Sequence, residues 1–196
     1  AALQFYSTQD SSLLSKTDEI EKKINAAEID LDEQVETLIV RRQPIASDLR
    51  LVLAVSKIVR DLERMGDELE KVGSLSLECF MSGSDVGVTE IQQIAEQVAK
   101  MLSESLNAFA RLDLDLAREI FQREREVDKV YQSALRALAT FMIEDPRNIG
   151  RILNIVWIAR SLERVGDHAT NIAEYVIYLV QGVDVRHPAV NQNSFD

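Results

Sequence analysis

The chain is sparing with the residues that cross-link or interrupt a polypeptide. Its 196 residues include one cysteine, 3 prolines and 7 glycines. One cysteine, Cys79, excludes an internal disulfide framework and suits a reducing cytoplasm. Within LECF, on a stretch that reads as helix, it is expected to be a buried, inert thiol. Scarce glycine and proline beside 46% hydrophobic and 28% charged residues exclude a disordered chain and fit a helix-rich globular protein. No apolar run reaches the ~18–20 residues that span a bilayer. The nearest is YVIYLV at 175–180, and no signal peptide is visible at the N-terminus, so a soluble cytoplasmic protein is expected. Basic residues are also short, 22 against 33 acidic, for a net charge of −11. Such a surface repels nucleic acid and anionic lipid and leaves room for cations or for partners with basic patches.

Helical periodicity is what the sequence does have. Ile149, Ile152, Ile155, Val156, Ala159, Leu162, Val165, Ala169, Ile172, Val176 and Leu179 trace one helical face. A second face runs Leu49, Val52, Val55, Val59, Leu62, Met65, Leu69 and Val72, and no segment alternates like a strand. Asp145 before Pro146 reads as a helix start, an acid cap followed by proline in the first turn. SGSDVG at 82–87 is the clearest linker, with shorter breaks at RRQPIAS (41–47) and EDPRN (144–148).

The chain repeats itself. LERMGD at 62–67 returns as LERVGD at 162–167, TQDSSLL at 8–14 matches RLDLDLA at 111–117, and Pro44 matches Pro146. Three landmarks at nearly constant spacing define an internal repeat. Each unit reads as helix, helix, proline-marked turn, helix. The fold class is therefore all-α, two tandem three-helix bundles: residues 1–81, a linker at 82–87, residues 88–182, and a frayed tail at 183–196. Thr89–Ala110 supplies the first helix of the second unit, whereas only Ala1–Ser7 precede the matching landmark in the first. Most of that first helix is expected to be missing from this chain, or its surface to be supplied by a partner. An uncovered apolar stripe would favour self-association.

The repeated hexapeptide carries acids at four-residue spacing, which stand on one helix face: Glu63 with Asp67, and Glu163 with Asp167. The preceding helices offer Glu124 and Asp128 in EREVD, and Glu21 and Asn25 in EKKIN. Antiparallel hairpins at ~1.5 Å rise per residue bring the acids of each unit to a similar height. Four carboxylates would converge in unit two, and three plus an amide in unit one, where Glu28 is one turn further on. Two readings stay open. Arg60, Arg64, Arg160 and Arg164 could make this a solvated ion-pair face. Alternatively, like charges about 5 Å apart repel by roughly 3 kcal/mol at an effective dielectric of 20, a cost that a cation between them would relieve. Oxygen ligands without His or Cys at coordinating spacing favour Mg, Mn, Ca or iron over structural zinc. His168 reads as a surface residue, and Trp157, Tyr175 and Tyr178 as core or bundle-edge aromatics. Gly66 and Gly166, each costing ~1 kcal/mol mid-helix relative to alanine, point to a close approach by a neighbouring helix or a ligand cluster. No phosphate loop, nucleophile–base pair or Glu-x-x-His motif appears, so no catalysis is expected.

RQPIASDLRLVLAVSKIVRDLERMGD (42–67) and ARSLERVGDHATNIAEYV (159–176), together with FARLDLDLAREIF and EREVD, resemble the PhoU family of phosphate-uptake regulators over nearly the whole chain. The resemblance implies two three-helix bundles side by side. It also implies acidic E(D)xxxD motifs that bind metal ions as multinuclear iron or zinc clusters. The matching positions are Glu63 and Asp67, Glu124 and Asp128, and Glu163 and Asp167; Asn25 departs from the motif. It implies a non-catalytic adaptor, working at the inner membrane through its partners without inserting. That adaptor would couple the high-affinity phosphate ABC transporter, through its ATPase subunit, to a sensor histidine kinase. When phosphate is plentiful it would repress the phosphate-starvation genes. A homodimer fits this picture. The competing expectation is a carboxylate-bridged metalloenzyme or a metal-storage bundle; a spectrin-like mechanical repeat is disfavoured because SGSDVG breaks the chain between units.

Overall fold

The computed structural model describes residues 12–81 and 87–185. Residues 1–11, the core of the expected linker (82–86) and most of the expected tail (186–196) lie outside them. Five long helices account for almost all of the described chain: α1 Ser12–Arg42, α2 Ser47–Met81, α3 Val88–Arg111, α4 Leu114–Glu144 and α5 Ile149–Gln181. There is no strand among the described residues.

Local chemistry sets the breaks. The Asp113 side chain accepts from the backbone N–H groups of Asp115 and Leu116 at 3.0 Å each, capping α4. Asp145 caps a 3-10 turn, Pro146–Asn148, that leads into α5. Gly182, at φ +74°, closes α5 in the left-handed conformation. Gly87, assigned from sequence only to a linker, is the most constrained glycine. It has φ +78°, and a Cβ there would stand 2.8 Å from Ile155 Cγ2 and 3.0 Å from Leu138. Backbone conformation and the α4–α5 core both require glycine at this entrance to α3.

Helices α3, α4 and α5 pack on one another as a three-helix bundle whose core includes Ile94, Met101, Ile120, Leu138, Ile155 and Leu162. A half-buried Arg123–Glu104 ion pair ties α4 to α3. Unit one is different. Helix α1 packs on α2 alone among the described elements, and the most extensive helix pairing in the molecule is α2 with α5. That pairing joins the two units and is antiparallel. Lys57, Asp61, Glu68 and Glu78 of α2 meet Tyr175, His168, Arg164 and Asn154 of α5, in reverse order.

Two carboxylates anchor the crossing. Asp61, 8% exposed, accepts at the same oxygen from Asn171 (3.1 Å) and meets His168 Nδ1 at 2.7 Å. His168 is thus a half-buried link between units, contrary to its expected surface role. Glu68, 7% exposed, accepts from Arg164 at 2.9 Å and Lys71 at 3.0 Å. Burial alone would raise the Glu68 pKa. Hydrogen bonds from Ser161 and Lys71, with the Lys71 and Arg164 charges, outweigh it and hold the carboxyl below its usual value.

Because α1 has no further neighbour among the described residues, an apolar groove runs between α1 and α2. Ile24, Leu31, Val59, Leu62 and Leu69 line it, with Leu102 of α3 at its edge. In unit two the corresponding seat is filled by α3.

Candidate metal centre

The hairpin geometry brings the acids of unit two together. Glu124 and Asp128 from α4 and Glu163 and Asp167 from α5 line one crevice, floored by Met101, Val127 and Gly166. As the side chains stand, it is too narrow for a water molecule. The acids also sense one another. Burial raises the pKa of Glu124, and the charges of Asp167 and Asp128 raise it further. Glu163 is raised by burial and by Asp167, against the opposing pull of Arg160. Asp167 is raised by burial; Arg160 opposes this and Asp128 adds to it. In all three burial is the largest cause, and like charge on the neighbouring acids adds to it.

Arg160 provides part of that compensation. Its Nη1 donates to Glu163 Oε1 at 2.7 Å, as the three-residue spacing predicts. Arg164 instead reaches across to Glu68 of the other unit. The second oxygen of Glu163 is buried and has no hydrogen-bond partner. Among the described residues no three His, Cys, Asp or Glu groups are arranged to hold one ion as they stand. A cation would therefore require these side chains to rearrange.

Unit one assembles a weaker version. Glu63 is raised by burial, then by Asp67, then by Glu28, so these three acids share one neighbourhood. Glu21 instead accepts from Asn25 at 3.3 Å, within its own helix. Asn25 thus occupies the fourth position as a donor where unit two has the acid Asp128.

The glycines behave differently from the sequence expectation. A Cβ at Gly166 would meet Val127, Val98 and Met101 at 3.8–4.0 Å, and one at Gly66 would meet, among the described residues, only Ile24, at 3.6–3.9 Å. Those are ordinary contacts, so packing does not require glycine at either position. Of the two expected places for Trp157, core or bundle edge, its 61% exposure excludes the core. Cys79 is buried, as expected, and burial pushes its thiol up to about 11.

The PhoU domain family matches residues 1–75 and again 91–176, the two halves of the internal repeat. The chain belongs to the PhoU family. A phosphate-specific transport system accessory protein PhoU homolog of Pseudomonas aeruginosa is 52% identical over 179 residues, spanning 91% of this chain and 74% of the relative. The phosphate-specific transport system accessory protein PhoU of Escherichia coli is 40% identical over the same shares. A crystal structure of PhoU from Pseudomonas aeruginosa superposes with a TM-score of 0.89 at 50% identity, covering 93% of this chain and 88% of that one. A Streptococcus pneumoniae phosphate transport system regulatory protein PhoU shares the fold, with a TM-score of 0.84 at 24% identity over 94% and 86%. The PhoU match agrees with the all-α tandem reading of the repeat.

The donor set, rather than its present geometry, suits the cation that the family resemblance implies. Four carboxylates line the crevice, one with an orphaned buried oxygen, and burial, with like charge adding to it, raises the pKa of three of them. The signal for these residues was present in the sequence as two acids four apart on facing helices. The Asp61–His168–Asn171 and Glu68–Ser161–Arg164 links were missed, because no local spacing announces a contact between residues about a hundred positions apart.

Proposed function

We propose that this chain is a non-catalytic accessory protein of a phosphate transport system, acting as an adaptor between a high-affinity phosphate ABC transporter and a sensor histidine kinase. In this reading it works in the cytoplasm and holds the phosphate-starvation response down when phosphate is plentiful. The observation that carries it is 52% identity, over 91% of the chain, with a relative named for that transport system. No described helix is long and apolar enough to cross a membrane.

Glu124, Asp128, Glu163 and Asp167 are the residues that would hold a divalent or trivalent cation, Mg, Mn, Fe or Zn, with Glu63, Asp67, Glu28 and Glu21 forming a lesser site in unit one. A bound cation supplies positive charge that relieves the mutual repulsion of the acids. The apolar groove on α1 and α2 is the surface we assign to self-association, for which a peptide of the α3 sequence would compete.

The test is binding of the purified protein to the kinase's cytoplasmic part and to the transporter's ATPase subunit, with and without chelator. Binding to both is expected. Failure to bind either, in any metal state, would refute the adaptor. Metal content after chelator-free purification tests the ion separately, with loss expected in the Glu163→Ala, Asp167→Ala double variant.

A further inference from the structure

On the side of the α2–α5 crossing held by Glu68 lies a groove of about 630 Å³, lined by Lys71, Ser74, Leu75, Trp157, Arg160 and Arg164 along with Glu68 and Glu70. Several features set it apart from the rest of this acidic surface. Three cationic side chains converge there, and each remains about half exposed: Lys71 54%, Arg160 45% and Arg164 53%. Glu68, the acid that holds two of them, is buried, which leaves Glu70 as the one solvent-facing acid of the lining. The cations are pre-positioned by carboxylates they already touch, yet a guanidinium has five N–H donors and an ammonium three, so donors remain for a second acceptor.

Trp157 lies at the edge of these charges, and Leu153 and Ile149 continue its exposed face along α5 at four-residue intervals. The internal repeat supplies a control. Position 157 corresponds to Lys57 and position 75 to Tyr175, and there the Lys57 ammonium lies 5.7 Å from the Tyr175 ring centre. The two ends of the crossing therefore differ: one sets a lysine over a tyrosine ring, the other offers an exposed indole and three half-exposed cations.

We infer that this groove docks an acidic, extended segment of a partner protein, with an apolar side chain of that segment seated on Trp157. Charge complementarity selects the occupant. A chain of net charge −11 repels acidic partners over most of its surface and admits them where cations outnumber solvent-facing acids. An exposed tryptophan beside arginines is the composition of interface anchors. The inference rests on the adaptor reading only for its choice of a protein as occupant.

Trp157 is the only tryptophan in the sequence, so its emission reports on this groove directly. The probe is a synthetic twelve-residue peptide of alternating Glu and Leu, compared with its Lys-for-Glu counterpart, with inorganic phosphate and with phosphatidylglycerol vesicles. The Glu/Leu peptide is expected to shift Trp157 emission to the blue and to saturate. By anisotropy of the labelled peptide, Trp157→Ala and Lys71→Glu are each expected to weaken binding at least tenfold. Ser74→Glu, at an exposed rim position that holds no buried charge, is expected to do the same with an unchanged circular dichroism spectrum. No shift, an equal shift with the Lys/Leu peptide, full binding by all three variants, or a shift given by phosphate or vesicles in place of the peptide would each overturn the inference. Kinase and ATPase binding without peptide binding removes the groove and leaves the adaptor. Peptide binding without either partner does the reverse.

Discussion

Gly166 is approached by side chains from two other helices, Val98 and Met101 of α3 and Val127 of α4; Gly66, its counterpart in the repeat, is approached among the described residues only by Ile24 of α1. The same hexapeptide therefore sits in a closed three-helix bundle in one unit and beside an open groove in the other. The comparison separates what the motif encodes from what its surroundings provide. LERxGD sets a helix face with an apolar side and an acidic side. Whether the apolar side becomes core, and whether the acids become a crevice, depends on the helices that face it.

The largest expected effect breaks the comparison at its apolar side. Leu162 is fully buried, so Leu162→Ala should cost about 2–5 kcal/mol in urea unfolding. Leu62 borders the groove and is only partly buried, so Leu62→Ala should cost less, about 1–2 kcal/mol. Equal costs would mean that the groove is covered in solution. Next come the glycines. Gly87→Ala should destabilise by roughly 2–4 kcal/mol, from its left-handed φ and the collision with Ile155 and Leu138. Gly66→Ala should instead be neutral or stabilising by up to about 1 kcal/mol, through helix propensity.

A smaller effect concerns charge. Glu124, Glu163 and Asp167 have raised pKa values, so the metal-free protein bears an unfavourable term at neutral pH. It is relieved as pH falls through their folded values and is gone below the ordinary values of 4.5 and 3.8. Glu68, with its lowered pKa, acts in the opposite sense: it stabilises above 4.5, and its contribution is lost as pH falls through its folded value. Glu163→Gln should therefore raise the metal-free Tm at pH 7 by roughly 2–4 °C, equivalent to about 1 kcal/mol in a chain of this size. It should also flatten the dependence between pH 7 and 4.5 and abolish any rise in Tm on adding Mn. The smallest change sharpens the comparison. Asn25→Asp gives unit one the acid it lacks and should add metal-binding capacity, read by isothermal titration, with little effect on stability.

The helices, the turn at Asp145–Pro146 and the convergence of Glu124 with Glu163 were legible because each follows from spacing along one helix or one hairpin. Glu28 was legible as a neighbour of Glu63 for the same reason. The placement of His168 and the exposure of Trp157 were not. Both depend on the rotation of α5 against α2, which is set by side chains about a hundred positions away. Gly87 was hidden for a related reason: a linker-like sequence does not reveal that its last residue abuts a core.

The reversed order of contacts along the α2–α5 crossing places the halves of this molecule as two copies of a self-complementary dimer would stand. In a true dimer every substitution appears on both sides of the axis at once. Joining the halves in one polypeptide lifts that constraint, so one copy can keep Asp128 while the other holds Asn25, and one can set Lys57 over Tyr175 while the other leaves Trp157 bare. Division of labour between the two faces becomes available to a fold whose plan is symmetric.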